Sequence, residues 1–230
     1  MKFSVVMATW NEGAQIASSL KRLRQISQHN PMELIVVDGG SDDKTAMLAR
    51  EWADHVIEMP EPNRGKQLDA GAKKASGDLL FFLRADAQPP GSWQQALEHF
   101  WLASHGEKIA ATAFSVDYGS SFSLKLASRM ANSSVGWRGA ASGEHGLCTT
   151  PEIYRDAGGF PPLPYREDIV FCDRLSRLGK IVLLKERIWP AGRRMHRAGA
   201  LASALQDCWL TLRFKLGAKP EDLWKSDAGL

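Results

Sequence analysis

Hydrophobic positions in the first half of the chain alternate between short continuous runs and positions spaced three or four residues apart. The runs predict strands at 3–8, 34–37, 55–58 and 78–83. The spaced positions predict four amphipathic helices between and after these strands. The apolar positions of the four helices are, in order, Ile16, Leu20, Leu23 and Ile26; Leu48 and Trp52; Leu68, Ala72 and Ala75; and Trp93, Ala96, Leu97 and Phe100. The order strand, helix, strand, helix predicts an α/β fold with a mostly parallel central sheet flanked by helices.

The second half is less regular. It predicts strands at 109–116, 146–150 and 181–184, and helices at 122–132, 167–178 and 200–216. A loop rich in glycine, alanine and serine is expected at 133–146, and Thr150-Pro151 predicts the start of a further helix. No repeat and no linker divides the chain. We therefore expect one domain over 1–230, with a regular half at 1–116 and a less regular half at 117–230.

Composition excludes several classes of protein. The 230 residues are 44% hydrophobic and 24% charged, which is ordinary for a globular chain, and a net charge of +3 gives no reason to expect nucleic acid as a partner. Residues 166–230 carry 13 Lys and Arg against 8 Asp and Glu, so this third of the chain is modestly basic and compatible with an anionic ligand or membrane surface.

Cysteine usage and the N-terminal pattern suggest a location. Three distant cysteines without a C-x-x-C pair argue against a zinc site or a disulfide framework. The first apolar run is short and is typical of a strand, not a signal peptide, and no run approaches the ~20 apolar residues of a membrane span. We expect a cytoplasmic protein.

Polar and acidic residues follow the predicted strands where each strand ends. The first is followed by TWNE at 9–12, the second by DGGS at 38–41 and the fourth by RAD at 84–86. Ligands of open parallel sheets bind beyond these carboxyl ends, so the side chains are expected to share a pocket. The first turn, ATWNEGAQ, lacks the G-x-G-x-x-G of a dinucleotide-binding domain, and no P-loop occurs. Hydride transfer and P-loop chemistry are therefore disfavoured.

These segments resemble the family 2 glycosyltransferases of the GT-A fold. Within that family they look most similar to the rSAM/selenodomain-associated transferase 2, or arsenosugar-biosynthesis-type, subgroup. The segments, in order, are ATWNE at 8–12, DGGSDD at 38–43, RGKQ at 64–67, RAD at 84–86, GEHG at 143–146, GGFP at 158–161 and RED at 166–168. Seven segments in fixed order over almost the whole chain make the resemblance specific.

The resemblance implies an inverting enzyme that moves a sugar from a nucleotide-diphosphate sugar, UDP-linked by expectation, to an acceptor hydroxyl. The half at 1–116 would bind the nucleotide-sugar donor, and the half at 117–230 would carry the acceptor and catalytic residues. Thr9, Asn11, Glu12 and Asp38 would hold the base and ribose, and Gly40 would keep the turn low beneath the nucleoside. Arg64 would meet donor phosphate, although a solvated loop arginine is the alternative. Asp168 would be the general base, with Glu167 the second candidate or an orienting neighbour. From spacing alone, both acids could equally complement the dipole of the helix that they open.

The remaining site residues lie in loops of the second half. Arg193 and Arg194 are expected to bind the diphosphate, because guanidinium groups pair with phosphate oxygens through two hydrogen bonds. Trp137 and Glu144 are expected on the acceptor side of the site, where they would contact the acceptor. The Trp137 side chain could equally pack as a hydrophobic residue within its own loop. Glu144 and the following histidine depart from the usual aspartate and glutamine of the family, and this leaves the acceptor open.

The metal site departs further from the family pattern. GT-A enzymes commonly place a D-x-D after the central strand, whereas RAD leaves Asp86 as the one acid there. Two outcomes are open: Mg²⁺ or Mn²⁺ held by Asp86 and the donor phosphates, or charge neutralisation by Arg84, Arg193 and Arg194. The first is favoured, because Asp86 beside a diphosphate without a cation would suffer like-charge repulsion.

The last predicted helix has an apolar stripe with basic residues alongside. Packing against the domain is the favoured interpretation, and a shallow helix on a membrane surface, implying a lipid-linked acceptor, is the alternative. Two other functions also stay open. A nucleotidyltransferase would be expected to show a basic, glycine-rich phosphate loop after the first strand, and a non-catalytic nucleotide-sugar-binding protein would be indifferent to loss of Asp168.

Overall fold

The computed structural model describes residues 1–104, 107–138, 141–190, 199–220 and 222–223. Within these ranges, 136–138 and positions 200, 201, 203, 204, 207 and 208 are described by their backbone alone. The strands are β1 (Phe3–Thr9), β2 (Met32–Asp38), β3 (His55–Glu58), β4 (Leu79–Phe82), β5 (Ala87–Gln88), β6 (Ile109–Val116), β7 (Leu147–Thr149) and β8 (Lys180–Pro190). The helices are α1 (Ile16–Ile26), α2 (Thr45–Ala49), α3 (Arg64–Lys74), α4 (Trp93–Ala103), α5 (Phe122–Arg138), α6 (Pro151–Asp156), α7 (Glu167–Leu178) and α8 (Ala200–Lys215), with a 3₁₀ turn at Gly143–His145.

The strands form one mixed sheet in the order β3-β2-β1-β4-β7-β6-β8-β5. Strands β3, β2, β1 and β4 are parallel, β7 is antiparallel to both of its neighbours, and β6 and β8 are parallel to each other. The predicted α/β fold with helices around a mostly parallel sheet is confirmed. The antiparallel insertion of β7 separates the regular first half of the sheet from the second.

Side chains of the central strand β4 are packed against other elements on both faces of the sheet. Successive side chains of a strand point to opposite faces. Phe81 accordingly stacks on Trp93 of α4, with ring centroids 5.0 Å apart, while Phe82 contacts Phe160 edge-on at 4.9 Å on the other face. All four residues of β4 are buried. Its carboxyl end therefore has a fixed position, and the RAD segment follows from it.

Two expectations of local structure were wrong. Helix α5 continues to residue 138, six residues beyond its predicted end, because Val135 is buried against the domain and keeps the small-residue segment helical. Strand β8 runs over 11 residues instead of four. Its extension pairs with β5, a two-residue strand that no periodicity can reveal.

The stripe on α8 was also misread. Leu205, Trp209, Leu212 and Leu216 are exposed, whereas Leu210 on another face of the helix is buried. Helix α8 packs against α5 through a different face from the predicted one. Within the described ranges, none of the helices has both the length and the hydropathy that a membrane span requires.

Candidate active site

An open cleft lies at the carboxyl ends of β1 and β4, as the strand-end pattern predicts. It is lined by the β1 turn, the start of α3, the residues after β4 and two proline loops, namely Ala8, Thr9, Trp10, Glu12, Pro62, Arg64, Gln67, Arg84, Ala85, Asp86 and Pro164. Four predicted site residues (Thr9, Glu12, Arg64 and Asp86) therefore share one cleft. Arg84 lies among them.

Asp38 is not part of the cleft lining. It is 1% exposed, and its carboxylate accepts hydrogen bonds from Thr9 Oγ1 at 3.0 Å, Ser41 N at 2.8 Å and Ser41 Oγ at 2.6 Å. Parallel pairing of β1 with β2 sets Thr9 directly opposite Asp38. Asp38 therefore organises the β2 turn and fixes the Thr9 hydroxyl, and it can act on a ligand in the cleft through Thr9.

The turns after β1 and β2 are tied together. Asn11 has a left-handed backbone (φ 53°), its N–H donates to Ser41 Oγ at 2.9 Å, and its Oδ1 accepts from Asp42 N at 3.2 Å. Gly40 has φ +72°, and a Cβ there would come within 2.9 Å of the Pro60 carbonyl oxygen. Glycine is thus required at Gly40 on both conformational and steric grounds. Asn11 is exposed between the cleft residues Trp10 and Glu12, and Gly40 is exposed in the β2 turn to which Asn11 is bonded.

Gln67 holds the floor of the cleft, and sequence reasoning missed it. This side chain is 3% exposed, and its Nε2 donates to the carbonyl oxygens of Thr9 and Val37, each at 2.8 Å. One amide therefore satisfies the backbone acceptors where β1 and β2 end. Its place in the RGKQ segment was the available signal.

Arg64 connects the start of α3 with the start of α7. It is the first residue of α3, whose N-cap Asn63 accepts from Lys66 N at 3.0 Å. Arg64 Nε lies 3.0 Å from Glu167 Oε1, an ion pair in which the N–H is not aligned as a hydrogen bond. A Cβ on Gly143 would come within 1.9 Å of Arg64 Nη2, so the guanidinium passes directly over the backbone of the 3₁₀ turn.

Glu167 and Asp168 open α7 in different environments. Glu167 is 1% exposed, and neither carboxylate oxygen has a hydrogen-bond donor among the described residues. Asp168 is half-buried, and its Oδ2 and Oδ1 accept from Gly143 N and Ile169 N, both at 2.9 Å. Of the two acids, Asp168 is the accessible one, while Glu167 faces Arg64.

Burial shifts the pKa of the Glu167 carboxyl group. Desolvation raises its pKa to about 7, although the nearby Arg64 charge opposes the shift and the Asp168 carboxylate reinforces it. A folded-state pKa above the ordinary 4.5 means that the folded protein binds the proton more tightly than the unfolded chain does. The associated stability is fully present below about pH 4.5 and is lost as the pH rises through about 7.

We therefore predict that the stability of the protein depends on pH through Glu167. Between pH 4.5 and 8, this side chain should lower the free energy of unfolding by up to about 3 kcal/mol, and the Glu167→Gln variant should lack this component. Urea unfolding of both proteins at several pH values measures the difference. Parallel pH profiles for wild type and Glu167→Gln would contradict the assigned titration.

Arg84 and Asp86 form an ion pair inside the cleft. Arg84 Nε donates to Asp86 Oδ1 at 3.0 Å and Nη2 donates to Oδ2 at 3.4 Å. The pKa of Arg84 is raised chiefly by the Asp86 charge, with further contributions from Glu144 and Glu12. The Arg84 side chain as a whole is 35% exposed, and it forms part of the cleft lining.

Glu144 lies beside this pair on the 3₁₀ turn. It accepts a hydrogen bond from the Tyr118 hydroxyl, a contact that sequence reasoning missed. The neighbouring His145 is 1% exposed and its pKa is lowered by burial, so the ring is neutral at physiological pH. Its Nδ1 accepts from Ser142 N at 3.2 Å, which closes the turn. The turn that carries Glu144 is thereby held between Arg64, Arg84 and Asp168.

Other predicted residues lie outside the described structure. Arg193 and Arg194 fall in 191–198, which the structure does not describe, and the side chain of Trp137 is also outside the description. Among the described residues, no group of three or more His, Cys, Asp or Glu side chains could hold a metal ion. Asp86 therefore fits a metal as a single carboxylate ligand, and the other ligands would have to come from phosphate oxygens or from residues beyond the described ranges.

Comparison with known proteins now decides the family. The model of glycosyl transferase family 2 matches residues 4–157, a span that includes the 3₁₀ turn and every residue lining the cleft except Pro164. The chain belongs to glycosyltransferase family 2. Its placement in the rSAM/selenodomain-associated subgroup is a finer prediction that this match does not test.

Sequence relatives agree with this family assignment. An undecaprenyl-phosphate 4-deoxy-4-formamido-L-arabinose transferase of Proteus mirabilis is 37% identical over 100 residues, covering 39% of this chain and 30% of that protein. A glycosyltransferase of Nostoc sp. with no assigned reaction is 25% identical over 223 residues, covering 89% of this chain and 68% of that protein. The match spans less than half the length of the first curated relatives.

Solved structures confirm the GT-A fold of this family 2 member. The glucosyl-3-phosphoglycerate synthase of Mycobacterium tuberculosis, crystallised with Mn²⁺, UDP and phosphoglyceric acid, superposes with a TM-score of 0.62 at 22% identity. The superposition covers 90% of this chain and 78% of that one. At this identity the likeness establishes the architecture.

Proposed function

We propose that this family 2 member is an inverting glycosyltransferase that moves a sugar from a UDP-sugar to an acceptor hydroxyl, with Asp168 as general base. One observation carries the proposal. Two arginines, Arg64 and Arg84, line a strand-end cleft, and Arg64 contacts Glu167, the immediate neighbour of the accessible Asp168. Groups suited to an anionic leaving group therefore adjoin a group suited to accept a proton.

The donor nucleoside is placed over the β1 and β2 turns. Thr9 and Glu12 line the cleft, Asn11 and Gly40 lie in these turns, and Asp38 orients the Thr9 hydroxyl from behind. The Mycobacterium tuberculosis synthase of the same architecture binds UDP, which supports uridine in this chain. The role of Asp38 in this proposal is to position Thr9.

A diphosphate in the cleft would lie near carboxylates. Glu12, Asp86 and Glu144 all act on Arg84 through their charges, and Glu12 and Asp86 line the cleft. Repulsion between these carboxylates and the diphosphate would be relieved by additional cations. We assign Arg193 and Arg194 to the diphosphate, together with Mg²⁺ or Mn²⁺ held by Asp86 and phosphate oxygens. Such an ion would neutralise the charge of the leaving group.

Transfer then requires one bond to form and one to break at the anomeric carbon. The acceptor oxygen bonds to this carbon from the face opposite the diphosphate, and the bond from the carbon to the phosphate oxygen breaks, which inverts the configuration. Asp168 takes the hydroxyl proton, and the electron pair leaves with the nucleoside diphosphate. Arg64 and Arg84 stabilise the departing charge through their guanidinium groups.

The acceptor is assigned to the side of the cleft that carries Glu144 and Trp137. Glu144 is oriented by Tyr118 and can accept a hydrogen bond from an acceptor hydroxyl. Relatives named for undecaprenyl phosphate and dolichol phosphate support a lipid-linked acceptor over a free sugar. The subgroup resemblance and a cytoplasmic location are part of the same proposal.

A screen of nucleotide-sugars by thermal shift tests the donor site. At a ligand concentration of 100 times the dissociation constant, a UDP-sugar should stabilise the fold by ~2.7 kcal/mol. Arg64→Gln should reduce the shift relative to its own unliganded melting temperature, because a diphosphate contact is removed. Arg50→Gln, which breaks an exposed ion pair with Glu58, should leave the shift unchanged. The donor assignment is wrong if no nucleotide-sugar raises the melting temperature, with or without Mn²⁺.

A further inference from the structure

Helix α8 has four exposed apolar side chains that lie on one face of the helix and form a stripe. Leu205, Trp209, Leu212 and Leu216 are 57%, 60%, 49% and 78% exposed. Their spacing of four, three and four residues, at about 100° per residue, keeps all four within an arc of about 60°. Four large apolar side chains on one exposed face form a patch of the kind that marks an interaction site.

Basic residues flank the α8 stripe on both edges. Arg213 and Lys215 fall roughly 80° to either side of it, at about 100° per residue. Lys215 is exposed and Arg213 is half-buried. An apolar face bordered by cations, with a tryptophan in the stripe, is the pattern of a helix that lies in the plane of a membrane surface.

Helix α5, which packs against α8, adds surface of the same character. Phe122 and Leu126 are 85% and 37% exposed and lie one helical turn apart. The α5 sequence contains Lys125 and Arg129, both exposed, and no acidic residue. Across both helices, exposed apolar side chains are therefore accompanied by positive charge.

Charge decides between the two occupants that could cover the α8 stripe. A second copy packed stripe to stripe would place the flanking cations of both copies along the edges of one apolar interface, and like charges there oppose association. Anionic lipid headgroups would instead pair with both cations. At 16 residues, α8 is shorter than a membrane span, so it would lie on the surface.

We propose that the α8 stripe, together with exposed Phe122 and Leu126 of α5, docks on an anionic membrane surface. Both helices are close in sequence to residues of the proposed active site. Helix α5 begins four residues after Tyr118, which holds Glu144, and α8 follows the segment that contains Arg193 and Arg194. Docking would bring the cleft to a lipid-linked acceptor. This purpose rests on the proposed function, whereas the docking itself does not.

Vesicle sedimentation without any nucleotide-sugar tests the docking separately from catalysis. The full chain should sediment with vesicles of equal parts phosphatidylglycerol and phosphatidylcholine and remain in the supernatant with phosphatidylcholine alone. Trp209→Ser with Leu212→Ser should weaken binding at least about tenfold. Arg213→Gln with Lys215→Gln should weaken it about 30-fold.

Matched controls and an oligomer measurement complete the test. Leu102 on α4 is 52% exposed, as much as Leu212, and Leu102→Ser should bind like wild type. Equal binding to both vesicle types, or equal loss in Leu102→Ser, would overturn the proposal. Absence of vesicle binding would also overturn it. If the chain then forms a dimer in sedimentation equilibrium, and Trp209→Ser with Leu212→Ser dissociates that dimer, the stripe is an interface between two copies of the chain.

Discussion

Replacing Asp168 with asparagine should lower the rate of transfer to a hydroxyl acceptor by 10²–10⁴-fold, on the order of what loss of a general base costs. An amide cannot accept the acceptor's proton, although its oxygen can still accept the hydrogen bond from Gly143 N that Asp168 Oδ2 now accepts. The fold and donor affinity should therefore be retained. Single-turnover rates with saturating donor, together with the donor's thermal shift, separate the two effects.

Two variants of the same helix serve as controls. Asp173 is an exposed acid of α7, and Asp173→Asn should transfer at the wild-type rate. Glu167→Gln should weaken donor binding more than it slows the chemical step, because Glu167 acts through Arg64 at 3.0 Å. Wild-type turnover in Asp168→Asn would move the base to another residue, with Glu144 the next to be tested.

The size of the Asp168 effect also reports the chemistry of the acceptor. A hydroxyl must lose its proton to attack, whereas a phosphate acceptor is already ionised near neutral pH and needs no base. The large loss is therefore expected with hydroxyl acceptors. A small loss confined to phosphate acceptors would identify the nucleophile as a phosphate oxygen.

Chelation of divalent cations should abolish transfer, and Mn²⁺ should restore it. Asp86 supplies a carboxylate at the end of the central strand, where a divalent cation would bind together with the phosphate oxygens of the donor. Arg84 complicates this site because its guanidinium already pairs with both oxygens of Asp86. A cation and Arg84 should therefore compete for the same carboxylate.

The Arg84→Ala variant tests this competition. Without the guanidinium, less Mn²⁺ should be needed for half-maximal rate. The maximal rate should fall by on the order of 10²-fold, because a positive group beside the leaving diphosphate is lost. Activity measured across a Mn²⁺ titration in both proteins gives the two parameters. Full activity of the wild type after rigorous chelation, combined with a large loss in Arg84→Ala, would show that the arginine replaces the metal.

Sequence reasoning succeeded where one local pattern determines the structure. Continuous apolar runs located β1, β2 and β4, and the parallel order followed from the alternation of strands with helices. Because such strands end at one edge, Thr9, Glu12 and Asp86 at or after their ends could be placed in one cleft.

Sequence reasoning failed where the structure depends on contacts between distant segments. The Tyr118 bond to Glu144 and the bonds from Gln67 to the carbonyl oxygens of Thr9 and Val37 join residues through geometry that no periodicity encodes. Asp38 was predicted to meet the donor, but its three internal hydrogen bonds required coordinates. The orientation of the α8 stripe was misjudged for a related reason, since an apolar stripe predicts an interface without saying whether its partner is the same domain.

One reaction tests the central claim most directly. The purified chain is incubated with Mn²⁺, a panel of UDP-sugars and both hydroxyl-bearing and phosphate-bearing polyprenyl acceptors, and the products are identified by mass spectrometry. The account predicts that UDP and a hydroxyl acceptor heavier by one glycosyl unit form in equal amounts, and that Asp168→Asn forms far less of both. Donor binding without either product would indicate a binding protein, and pyrophosphate release from a nucleoside triphosphate would indicate a nucleotidyltransferase. Either result would contradict the account.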